Sequence, residues 1–267
     1  MRFTGSLILL AQVLFLSACA NAPATHDPSQ DYGYMWVKHA AEYQALAAQV
    51  YRDATDDLPA YIGDKSWSAM PGYSGMSELP PAIILDIDET VINNIDFQLA
   101  YERPYSNHKR DAWSKNHDSF AIPGAKQFVK AARDAGVTVF FVTGRPCEPL
   151  EGIDDPCPQK QTTIDDINEL GIEVNPEHLM LSDEHPDWDR EKLVRRELIA
   201  ESYRVIMIIG DDLTDFVPCS RKKIHTPCTT GATHATRAEA LQTYNDYWGN
   251  GWYILPNPMH GSWTSVR

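Results

Sequence analysis

Short apolar runs of strand length alternate with amphipathic segments along this chain, and that alternation restricts its fold more than any other feature. The runs are Ala82 to Ile87, Val137 to Val142 and Val205 to Ile209, with His178 to Leu181 a weaker member of the set. Apolar character without a polar residue at every second position belongs to strands buried on both faces. Between the runs, 123–135 reads as a helix with Pro123 in its first turn and Gly136 beyond its end. A second helix spans 162–170, closed by Gly171, and a charged third spans 189–202. Such alternation, joined by right-handed crossovers, gives an α/β fold with a Rossmann-like, doubly wound parallel sheet. Three segments stand outside it: an amphipathic helix within 34–62, an aromatic and charged stretch over 93–122, and a helix with an aromatic tail over 235–267. They are assigned to a small helical cap, so that 34–267 forms one domain. Pro59 is expected to break the first of these helices.

An open parallel sheet binds its ligands outside the carboxyl ends of its strands. Asp86-Ile87-Asp88-Glu89-Thr90 follows the first run, Thr143-Gly144-Arg145 the second, and Gly210-Asp211-Asp212-Leu213-Thr214-Asp215 the last. A single Asp after a strand is ordinarily a turn former or a helix cap. Here Asp86, Asp88, Asp211 and Asp215 all converge on one edge, and like charges packed together repel unless a cation neutralises them. Oxygen donors without His or Cys select a hard ion, and Mg2+ is the expected cofactor, held by those four Asp residues. Gly144 and Gly210 read as tight-turn positions. His117, His178, His185 and His260 have no ligand spacing and read as structural or exposed.

With 267 residues, 43% of them hydrophobic, the chain is long enough for one sizeable α/β domain with an appendage. A formal charge of −14 argues against a nucleic-acid polymer as partner. A small phosphorylated substrate stays open, because a bound divalent cation reverses the local field. Arg2 and the apolar run from Leu7 to Leu16 have the size of a secretion signal and are short for a membrane span. The run ends in Leu16-Ser17-Ala18-Cys19, which resembles the lipobox of bacterial lipoproteins. That resemblance implies removal of 1–18, lipidation of Cys19, a tether over 20–33, and anchoring in the bacterial envelope. Ala20, where an Asp would signal inner-membrane retention, favours the outer membrane. Cys147, Cys157, Cys219 and Cys228 form two locally spaced pairs. In an oxidising compartment these read as disulfides Cys147–Cys157 and Cys219–Cys228. Zinc fits less well, since the spacing exceeds that of zinc sites and no paired His accompanies it.

The four motifs together, Asp86-Ile87-Asp88-Glu89-Thr90, Thr143, a downstream Lys and Gly210 to Asp215, resemble those of the haloacid-dehalogenase (HAD) superfamily. With the export signal they are similar to its DDDD-type members, the class C bacterial lipoprotein acid phosphatases and 5′-nucleotidases. The likeness runs from about Trp36 to Trp263 and includes the tail Trp252-Tyr253-Ile254-Leu255-Pro256-Asn257-Pro258-Met259. It implies Asp86 as nucleophile and Asp88 as general acid and base. Asp86, Asp211 and the backbone carbonyl of Asp88 would hold the metal, with Asp215 a ligand or support, and Thr143 would bond a phosphate oxygen. Lys192 is the expected motif lysine, with Lys222 and Lys223 as substitutes. Arg145, Trp113 and Tyr105 are candidate substrate contacts. The implied function is hydrolysis of small phosphomonoesters, with 5′-nucleotides the leading class. Transfer of the phosphoryl group to an alcohol, or a non-catalytic envelope binding protein on the same scaffold, are the alternatives. Nothing in the sequence sets the oligomeric state.

Overall fold

The computed structural model describes residues 28–101, 104–116 and 120–266, with side chains described from Asp31 onward. The secretion signal, Cys19 and His117 lie outside the described residues. The chain opens with helices α1 (Pro28–His39) and α2 (Ala41–Gly63). Helix therefore begins inside the stretch expected as a tether, at a Pro, which suits a first helical turn. Pro59 does not end α2: the helix runs on to Gly63, and Leu58 and Tyr61 on either side of it are buried. Burial of that face outweighs the hydrogen bond that Pro removes. Among the described residues, no helix is long and apolar enough to cross a membrane.

The remainder is β1 (Pro81–Leu85), β2 (Ile92–Asn93), α3 (Ile95–Ala100), α4 (Asn107–Ser114), β3 (Phe120–Ala121), α5 (Ala125–Asp134), β4 (Thr138–Pro146), α6 (Pro158–Glu169), β5 (Leu179–Ser182), α7 (Leu193–Ala200), β6 (Arg204–Gly210), α8 (His234–Thr243) and β7 (Trp252–Ile254). Five strands form one sheet in the order β5-β4-β1-β6-β7, and every neighbouring pair is parallel. The edge strand β7 comes from the segment expected as an aromatic tail. Its three residues are too few to carry a periodic signal.

Successive residues feed two cores, as the pleat demands. Ile83, Leu85, Val139, Phe141, Leu179, Leu181 and Ile209 face one side, with Tyr43, Ala47, Tyr51 and Ala54 of α2 and Phe128 and Val129 of α5. Ala82, Ile84, Phe140, Val142, Met180 and Ile208 face the other, with Ile199, Phe216 and Trp252. A register shift between Ala82 and Ile83 leaves Ile206 as the extra residue of β6, so Ile206 and Met207 both enter the first core.

This arrangement divides the three segments expected as a cap. Helix α2 lies against the sheet, since its buried residues recur at helical spacing and pack with α5 and β7. Beyond β7 the tail runs beside the strand ends, and α8 lies against the second core through Ala240. In 93–122, α3 packs against α1 and α4 against α6, while Ile95 and Ile122 still enter the first core. The two expected cysteine pairs are bonded, Cys147–Cys157 and Cys219–Cys228.

Candidate active site

The chain moves from β1 to β4 and β5 on one side of the sheet, then returns to β6 and β7 on the other. The order therefore reverses between β1 and β6, where the carboxyl ends part and leave a crevice. Asp86 leaves β1 there, its N–H bonded to the Ile209 carbonyl at 2.9 Å, and Asp211 leaves β6. Asp86, Asp211 and Asp215 each offer an oxygen within 4.8 Å of the others.

Lys192, buried at the N-cap of α7, donates to Asp86 Oδ1 and, at 2.7 Å, lies against Asp215 Oδ1. Lys222 and Lys223 are not needed in that role. Asp215 Oδ2 accepts the N–H groups of Asp211 and Asp212 at 3.1 and 3.0 Å. Both oxygens of Asp215 are thus engaged by protein, so that it supports Lys192 and the turn as well as standing in the carboxylate cluster. Gly210 makes this close approach possible: a Cβ there would lie 2.6 Å from the Asp215 Cβ and Cγ. Gly144 carries no such restriction, with only the tip of Arg190 near its missing Cβ, at 3.9 Å.

Burial pushes the Asp86 carboxyl up to about 7 despite the pull of Lys192, with Asp215 and Asp88 adding to the rise. Asp211 is also raised, first by burial and then by Asp215 and Asp86. Buried carboxylates of this kind are relieved by a cation. The set therefore fits a hard metal, with Asp86 and Asp211 as the side chains best placed to hold it.

The Asp88 side chain has partners of its own. Arg145 grips it, Nε donating to Oδ2 at 2.9 Å and an NH2 nitrogen to Oδ1 at 2.8 Å. Asn94 Nδ2 donates to Oδ1 at 2.9 Å and Arg110 at 3.3 Å. Behind the two arginines lies Asp166 of α6, which accepts from Arg145 at 2.7 Å and from Arg110 at 3.3 Å. Burial opposes the charge on Arg145, but Asp88 and Asp166 more than reverse this and hold its guanidinium firmly protonated. Arg145, a candidate substrate contact, lines the cavity and is bound to two carboxylates, and Arg110 ties α4 to α6 through Asp166.

Other expectations change. Thr143 is fully buried, its hydroxyl accepts the Arg145 N–H at 3.1 Å, and Gly144 and Arg145 form the adjacent cavity wall. Trp113 packs against Phe97, ring centroids 6.0 Å apart, and is not among the residues lining the cavity, whereas Tyr105 is. His260, read as structural or exposed, lines the site, with Nε2 3.0 Å from Glu89 Oε2. Glu89 is itself buried in a left-handed conformation, φ 57°. Asn257 donates to Asp211 Oδ2 at 2.6 Å. These tail contacts carry no spacing signal, because the tail reaches the site only after β7 has joined the sheet.

A cavity of about 600 Å³ opens over the cluster, walled by Phe97, Tyr101 and Tyr105 on the cap side and by Arg190, Arg221 and His225 elsewhere. The sequence model for HAD superfamily, subfamily IIIB (Acid phosphatase) matches residues 16–263. Among solved structures, the class C acid phosphatase from Bacillus anthracis matches at 26% identity with a TM-score of 0.68, over 88% of this chain and 86% of that one. The same class C enzyme with tungstate bound gives the same values. Family match, parallel sheet and strand-end carboxylates agree on one chemistry, and the alternative of a non-catalytic scaffold falls away: the chain belongs to the HAD subfamily IIIB acid phosphatases and is a phosphomonoesterase.

Proposed function

We propose that the protein is an exported, lipid-anchored, Mg2+-dependent phosphatase that hydrolyses 5′-nucleotides through an aspartyl-phosphate on Asp86. The observation that carries the reading is the Asp86–Lys192–Asp215 chain beside Asp211, set beneath a cavity with an aromatic wall. Lys192 orients the Asp86 carboxylate through Oδ1, and Oδ2, with only the Thr90 hydroxyl at 3.4 Å against it among the described residues, is the oxygen placed to attack phosphorus. When bound by Asp86, Asp211 and the Asp88 carbonyl, the cation supplies charge neutralisation for the phosphoryl oxygens. In the solved relative the bound group is tungstate, a tetrahedral oxyanion like phosphate.

Asp88 then handles the proton. Its Oδ1 accepts from Arg145, Asn94 and Arg110, while Oδ2 accepts from Arg145 alone. Oδ2, the less heavily engaged oxygen, is therefore the one to pass a proton to the leaving alkoxide and later to take one from water. Tyr105, half exposed, and its edge-on neighbour Tyr101 give a nucleobase a face to stack on. Anchoring and envelope location rest on the Leu16 to Cys19 motif.

The test is release of inorganic phosphate from a panel of 5′-nucleotides and a chromogenic phosphomonoester, in EDTA and again after Mg2+ is restored. Release that depends on Mg2+ and disappears in Asp86→Asn is the expected result. Undiminished turnover by Asp86→Asn would overturn the nucleophile assignment.

A further inference from the structure

The part of the cavity lining that carries Arg190 and the loop of residues 219–228 has a construction that phosphoryl transfer at Asp86 does not use. Residues 189–192 alternate in direction. Asp189 turns outward to a loop closed by the Cys219–Cys228 disulfide, accepting the Thr226 N–H at 3.1 Å and lying 2.7 Å from His225 Nδ1. Glu191, two residues on, accepts the Cys219 N–H at 3.1 Å. Arg190 and Lys192 turn the other way and line the cavity. Two carboxylates thus pin the loop against the backbone that carries Arg190, and the loop adds Arg221, Lys223 and His225 to the same wall.

Lys192 is held by Asp86 and Asp215, and His225 Nδ1 lies against Asp189. Arg190, Arg221 and Lys223 have no such carboxylate in salt-bridge contact among the described residues. Among those residues the Arg190 side chain donates only to the Gly144 carbonyl, at 3.2 Å, and that of Arg221 only to the Thr214 hydroxyl, at 2.9 Å. Their Nε atoms are buried without a hydrogen-bond partner among the described residues. Lys223 is exposed and has no carboxylate against it among those residues. Three cations lining one cavity without a salt bridge among the described residues, in a chain of net charge −14, are the uncommon feature. Buried donors left unpaired cost free energy unless a ligand satisfies them.

We infer that Arg190, Arg221 and Lys223 form a second anion subsite, which selects phosphomonoesters that carry a further phosphate group. The inference rests on phosphoryl transfer at Asp86 as proposed above. The reacting phosphate sits over Asp86, and the second one meets a wall whose planar guanidinium groups match phosphate oxygens.

The experiment compares kcat/KM for adenosine 3′,5′-bisphosphate and adenosine 5′-monophosphate, with p-nitrophenyl phosphate as a third substrate. The wild-type protein is expected to favour the bisphosphate by about tenfold, the equivalent of one well-made charged contact. Lys223→Gln, at an exposed position, lowers that ratio, and Arg190→Gln lowers it further. A wild-type ratio near one, with phosphate released from the other two substrates, would sink the subsite alone. So would a ratio that neither variant changes. No release from any of the three by folded protein would sink the reaction at Asp86 and the subsite with it.

Discussion

Asp166 belongs to none of the strand-end motifs, yet replacing it is expected to be among the most costly single changes in the molecule. Its side chain is 3% exposed, and those of Arg145 and Arg110 are each 8% exposed. With Asp88 they form a group of two positive and two negative charges, closed by contacts of 2.7 to 3.3 Å. Asp166→Asn keeps the shape and an acceptor but leaves one uncompensated positive charge among these side chains. Two unit charges about 4 Å apart interact by roughly 4 kcal/mol at an effective dielectric of about 20, and Asp166 has two such partners. Solvation recovered by the arginines offsets part of this, so the net loss expected is about 3 kcal/mol, as for other broken buried pairs. Urea unfolding at pH 7 reads it as a lower midpoint at unchanged slope. Arg110→Gln added to Asp166→Asn restores neutrality, and the double variant should lose less than the sum of the singles by about 1 kcal/mol or more. A loss under about 0.5 kcal/mol for Asp166→Asn, or strict additivity in the double variant, would show that the four groups do not act as one unit.

Gly210→Ala should displace Asp215, because the new Cβ falls 2.6 Å from that side chain. The expected loss is about 1–3 kcal/mol by thermal unfolding, with a drop in phosphatase activity as Lys192 loses its second partner. Asp212 is held below the usual carboxylate range: burial opposes this, but the Ser262 hydroxyl and N–H and the Thr214 N–H outweigh it. A depressed carboxyl contributes stability that is full above the unfolded value and disappears as pH falls through the folded one. Asp212→Asn should therefore cost about 2 kcal/mol near neutrality, and its gap from wild type should close below about pH 4, measured as melting temperature against pH. Mg2+ at a hundred times its dissociation constant should add about 2.7 kcal/mol of stability. Because the cation displaces a proton from Asp86, which titrates near 7, the Mg2+-induced rise in melting temperature should grow as pH increases from 6 to 8. A rise that is flat over that interval would exclude Asp86 as a ligand.

The legible part of this protein is the part written in consecutive residues. Asp86, Asp88 and Asp211 were visible because each follows a strand that announces itself as an apolar run, and the parallel sheet places every such end on one edge. Lys192 was legible only by likeness to a family, since a lysine before a helix is otherwise an ordinary solvated charge. What escaped is whatever depends on distance across the fold. Arg110 and Asp166 are 56 positions apart, on short helices whose pattern says nothing about a shared buried charge. Asn257 lies 46 positions beyond Asp211, and reaches it because β7 pairs parallel to β6 and sends the chain back over the strand ends. Arg145 is legible as part of the site, but the carboxylate behind it is not. Asp166 presents a carboxylate that cannot leave, and a guanidinium beside a fixed anion stays there rather than waiting for a phosphate. The same reasoning separates Arg190 from Arg145: both line the cavity, but among the described residues no carboxylate forms a salt bridge with Arg190.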